Sequence, residues 1–105
     1  MMELPELVEL IPELPEEVLI DVNSFVRVAN NLKQLARTCS PSLIREAIKL
    51  EKYKRNAIET IRKIWLKERA IDDETARKAI DFVYNLYNNT IQTAEREFET
   101  CLLRT

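Results

Sequence analysis

The chain has 105 residues, the size of one domain (1–105), and contains no Gly and no His. Without Gly the positive-φ positions of hairpins, bulges and tight turns go unfilled, which excludes an all-β or α/β fold; without His the commonest general base and metal ligand are missing. The net charge of −2 conceals a division: residues 1–21 hold seven acids and no base, residues 22–71 carry +8, and residues 72–105 carry −3.

The expectation is an all-α fold: an antiparallel bundle of three long helices behind a short N-terminal helix in a Pro-broken acidic arm. The arm, 1–14, reads MMELPELVELIPEL. Its acids and its Pro5 and Pro12 are unlike a signal peptide, which needs a basic start and an unbroken apolar core. Pro5 can open a short helix over Glu6–Ile11, with Leu7, Val8, Leu10 and Ile11 as its sticky side. No apolar run approaches the ~20 residues of a membrane span, so a cytoplasmic protein without a membrane partner is expected.

A helix is expected over 15–38. Val18, Val22, Phe25, Ala29, Leu32 and Ala36 fall on one side at 100° per residue, and Asn23, Arg27, Asn30, Asn31 and Gln34 lie opposite. That polar side is almost uncharged. Solvated helix faces usually carry charge, so it is either an amide-rich surface or a place where a partner sits.

Ser40 as N-cap and Pro41 at the first helical position start the next helix, 41–70. Leu43, Ala47, Leu50, Ala57, Ile58, Ile61, Ile64 and Trp65 form its core side. Arg45, Lys49, Lys52, Lys63 and Lys67 form a ridge roughly opposite, with Asn56 among them. Single-strand binding wants aromatics interleaved with cations on one face. Here Trp65 points to the core and Tyr53 only flanks the ridge, so the five cations offer phosphate contacts without reading sequence. Glu51–Arg55 and Glu59–Lys63 are expected as i,i+4 ion pairs of an exposed face. Lys54 falls inside the apolar side and is expected to snorkel to the bundle edge.

Asp72 or Asp73 caps the last helix, 73–104, whose stripe runs through Ala76, Ala79, Ile80, Val83, Leu86, Tyr87, Ile91, Ala94, Phe98, Cys101 and Leu102. Phe82 reads as out of phase. A bundle this thin leaves apolar surface over, and Leu7, Ile11, Ile20, Phe82 and Leu103 are the candidate interface, with a homodimer as the economical cover.

Cys39 and Cys101 fall at the same end of such a bundle, where a disulfide is geometrically open to them. The expectation is nevertheless two free thiols, because cytosolic disulfides are rare outside hyperthermophiles; the 32% charged residues give the composition a thermophile-like cast. Two Cys without His make no zinc site. Glu6/Glu9 and Glu13/Glu16 have E-x-x-E spacing but sit in the arm without a following E-x-x-D. No catalytic residue, metal ligand or cofactor is therefore assigned, and the chain is expected not to be an enzyme. The functional expectation is a non-enzymatic, self-associating interaction or scaffold module with an unidentified protein partner. The alternative is a nucleic-acid-associated accessory protein using the basic ridge.

Overall fold

The computed structural model describes residues 14–104, and every regular element among them is helical. Helix α1 is Glu16–Arg37 and α2 is Leu43–Arg62, prolonged by a π-helical segment, Lys63–Lys67; helix α3 is Asp73–Arg104. They pack as a bundle with extents of 52 × 23 × 17 Å. The arm positions Leu7 and Ile11, and the short helix expected there, lie outside the described residues.

Local chemistry sets the helix ends. Pro15 precedes α1 with φ −63°, and its carbonyl accepts from the Val18 and Leu19 amides. Glu16 and Glu17 in the first turn and Arg37 in the last suit the helix dipole. With no Gly in the chain, Cys39 takes the left-handed position after α1, at φ 54°. The Cys39 amide bonds the Ala36 carbonyl and the Ser40 amide bonds the Leu35 carbonyl, closing the helix with a Schellman motif. A left-handed residue with a Cβ costs about 1 kcal/mol, which the motif's two hydrogen bonds offset.

Helix α2 departs from the expected 41–70 at both ends. Ser40 Oγ accepts from the Ser42 amide at 3.1 Å, but within a turn formed by Pro41 and Ser42; regular helix begins at Leu43, and the residue at its N-cap is Ser42 instead of Ser40. At the other end the α-pattern stops at Arg62. The Glu68 amide reaches back to the Lys63 carbonyl and Ala70 to Ile64, widening the last turns before Arg69, at φ 55°, releases the chain. Trp65 is therefore half-buried at the core's edge, and its indole N–H donates to Asp73 at 2.8 Å. Asp72 caps α3 through the Thr75 amide at 2.8 Å; that hydrogen bond holds the Asp72 carboxyl below its ordinary value.

The core runs between the helices from Val18, Val22, Phe25, Ala29 and Leu32 of α1, through Leu50, Ala57, Ile58 and Ile61 of α2, to Ala76, Ala79, Val83 and Ala94 of α3. Leu14 and Ile71 join it at one end. The alanines on all three helices let large neighbours interdigitate at close helix spacing.

Two expectations are overturned. Phe82 is not surplus apolar surface: it lies half-buried against the core, because it sits one turn before Leu86 and shares its side. Cys39 and Cys101 are not free thiols. They are joined, with Cα atoms 5.9 Å apart, so the turn after α1 is tied to the last turns of α3. The Arg37–Glu97 ion pair, at 3.8 Å, lies on the same α1–α3 approach.

Candidate functional site

Helices α1 and α2 meet along a seam whose side-chain pairs change in character along its length. At one end Lys63 donates to Glu17 at 2.7 Å and reaches Glu68 at 3.9 Å, and the Thr60 hydroxyl donates to Asp21. Glu17 keeps the Lys63 ammonium protonated to higher pH than an isolated lysine. The seam is closed there. Asp21, Thr60, Lys63, Asn56 and Glu59 line only a shallow space of about 320 Å³.

Toward the middle the seam opens into a groove of about 640 Å³. Helix α1 lines it with Ser24, Arg27, Val28, Asn30, Asn31 and Gln34, and α2 with Glu46, Lys49 and Tyr53. Asn31 Nδ2 donates to Glu46 Oε2 at 2.8 Å, and Glu46 is only 8% exposed. A carboxyl group that deep needs such a donor. Lys49 stands one turn from Arg45 and one from Lys52, and all three are exposed, as is Arg27 across the groove. None of these four cations carries an ion pair among the described residues.

The almost uncharged side of the first helix thus faces one edge of the basic ridge of the second across the groove. Lys49 is the ridge residue that lines its wide part, and Arg45 and Lys52 stand one turn to either side of Lys49. Lys63 is taken up by Glu17 in the closed part, and Lys67 stands exposed beyond it in the π segment. The pairs expected within α2 give way to others: Glu51 holds Lys54 rather than Arg55, and Lys63 turns to Glu17 rather than Glu59. Sequence reasoning missed Glu46 and placed Tyr53 only at the ridge's flank. Both lie between the ridge and the apolar side on the helical wheel, and that intermediate angle was the available signal.

On the other side of α2, Lys54 does not snorkel. It is 17% exposed, 3.2 Å from Glu51, with its ammonium 4.4 Å from the centre of the Tyr87 ring and 5.7 Å from that of Tyr84. Its charge is met by a carboxylate and two aromatic faces on α3, so it stays at the α2–α3 contact instead of reaching water. Lys54 and the Tyr87 hydroxyl both hold Glu51 low, while burial, then Glu51, pushes the Tyr87 phenol up.

Of the candidate interface positions, Ile20 is 57% and Leu103 88% exposed. Ile44, Ile48 and Leu66 are further exposed apolar side chains. Among the described residues no group of three or more His, Cys, Asp or Glu gathers around a point that would hold a metal ion, and no helix is long and apolar enough to cross a membrane. The chain matches no protein-family model, no curated protein and no solved structure.

Proposed function

We propose that this chain is an antiparallel three-helix bundle acting as a non-enzymatic, self-associating interaction module, with the α1–α2 groove as its working surface. The antiparallel arrangement is supported by the order of the side-chain pairs. Glu17 meets Lys63, Asp21 meets Thr60 and Asn31 meets Glu46, so partners descend α2 as α1 ascends. Tyr84 and Tyr87 with Lys54, and Asp73 with Trp65, order α2 and α3 in the same sense.

The observation that carries the interaction reading is the open groove itself. Hydrogen-bonding amides and Arg27 line one lip and Lys49 the other, neither cation carrying an ion pair among the described residues, with exposed Ile20 one turn before Ser24. Hydrogen-bond donors around a cleft with an apolar anchor at its rim suit a polypeptide partner. The chain is read as a cytoplasmic protein of thermophilic type, the intracellular setting in which an internal disulfide persists; the 32% charged residues support this. Light scattering on a sizing column tests self-association. A mass near twice the 12.4 kDa of the chain is expected, and a concentration-independent 12.4 kDa particle would remove the reading.

One observation favours a second reading, a nucleic-acid accessory role: Tyr53 shares the groove with Lys49 and Arg27, the cation–aromatic neighbourhood that single strands use. Four phosphate contacts by Arg27, Arg45, Lys49 and Lys52 would give a log–log salt slope of about −3 for a single strand. A polarisation titration at two salt concentrations decides it, and no binding at low salt removes it.

A further inference from the structure

The groove's own chemistry narrows what it takes. The seam already seats two acidic side chains: Glu46 in the groove, on the Asn31 amide, and Glu17 at the closed end, on Lys63. Where acids of α1 are present the seam is closed. Where α1 offers Arg27, Asn30, Asn31 and Gln34 instead, Arg27 and Lys49 line the space and, like Arg45 and Lys52 one turn to either side of Lys49, carry no ion pair among the described residues. The complementary surface is therefore acidic, with apolar side chains to cover Ile20 at the rim. The chain carries one such stretch: residues 3–13 place Glu3, Glu6, Glu9 and Glu13 among Leu4, Leu7, Val8, Leu10 and Ile11, without a single base. Among the described residues nothing fills the groove and Ile20 is 57% exposed, and on the self-association reading the occupant is supplied by a second copy.

We propose that the α1–α2 groove receives the acidic, leucine-rich segment 3–13 of a second copy of this chain, the two copies exchanging segments reciprocally. Each copy supplies one segment and one groove, so two equivalent contacts close a two-fold dimer. This rests on the self-association reading and assigns it a surface and a segment. The contact is driven by charge complementarity around apolar anchors, so it tightens at low salt and loosens as salt is raised.

The test is the dimer dissociation constant of the full-length chain by sedimentation, with helicity by circular dichroism as the fold control. R27E/K49E and, separately, E6K/E9K are each expected to weaken the dimer by about tenfold or more with helicity intact. The four changes combined in one chain restore opposite charges across the contact and are expected to recover much of the affinity. A dimer indifferent to R27E/K49E overturns the proposed surface while leaving self-association standing. A wild-type chain that stays monomeric at every concentration overturns both. A monomer that binds a single-stranded oligonucleotide, and loses it in R27E/K49E, makes the groove a phosphate site and overturns the segment exchange.

Discussion

Removing the Cys39–Cys101 bond is the perturbation with the largest calculable effect. The cross-link joins positions 62 residues apart, so it restricts more than half of the unfolded chain. The chain-entropy relation for a loop of that length gives about 14 cal/mol/K, or about 4 kcal/mol at 25 °C, withheld from the unfolded state. A domain of this size unfolds with roughly 0.2 kcal/mol/K of entropy at its midpoint, so Tm should fall by about 20 °C. Both sulfur-bearing residues are half-buried, so Ser at these positions adds little packing loss of its own. The assay is thermal unfolding of C39S/C101S beside the unmodified chain with and without a phosphine reductant. The reduced chain should melt with the double variant. In urea, the m-value should also rise on reduction, because an unfolded chain freed of its cross-link exposes more surface. A drop of less than about 5 °C, or an unchanged m-value, would refute the argument that the bond acts on the unfolded chain.

Four further outcomes follow from the packing. Lys54→Ala should destabilise by about 1–2 kcal/mol, and a double-mutant cycle with Tyr87→Leu should show about 0.5–1 kcal/mol of coupling; zero coupling would mean the ammonium–ring contact carries no energy. Asn31→Ala leaves the Glu46 carboxylate without its donor and should cost about 1–3 kcal/mol by chemical denaturation, most of it recovered when Glu46 is also replaced by Leu. Thr90 is buried and its hydroxyl has no hydrogen-bond partner among the described residues, so the isosteric Thr90→Val should stabilise by about 1 kcal/mol. Asp72 has a folded-state pKa below its ordinary value of 3.8. Its contribution is therefore fully present above that value and lost as pH falls through the lower folded one. Asp72→Ala should flatten the acid limb of a stability–pH curve over that window, and a limb of unchanged slope would deny the cap its role.

The last helix was legible because its signal is redundant: the stripe from Ala76 to Cys101 repeats often enough that Asn88 and Asn89 fall on the polar side without breaking phase. Helix ends were harder. A chain without Gly still needs left-handed residues after its helices, and nothing local in Cys39 or Arg69 marks them for that position. Both are placed there by the turns they close. The π-helical widening at Lys63–Lys67 is likewise invisible to a fixed 100° wheel, which is why Trp65 was assigned to the core instead of its edge. Phe82 was a failure of phase reckoning, since its i+4 neighbour Leu86 already stood in the stripe.

The groove shows what a single-helix wheel withholds. Each lip was legible by itself, but whether two faces meet depends on which flank of α1 turns toward α2, and that is decided by the joint burial of three helices. Once they meet, residue type decides whether the seam shuts. Near the start of α1, Glu17 and Asp21 reach Lys63 and Thr60 and draw the helices' side chains together. About two to four turns farther on, acids at 27, 30, 31 or 34 would have done the same with Lys49. Arg27 and the amides of Asn30, Asn31 and Gln34 cannot neutralise a lysine, so among the described residues Lys49 has no ion pair and the space between the lips stays open. The missing charge on the first helix, odd for a solvated face, is thus the physical condition for a cationic groove at that place. Converting Asn30 and Gln34 to Glu should supply the counter-charges, close the groove and abolish self-association while leaving the helices formed.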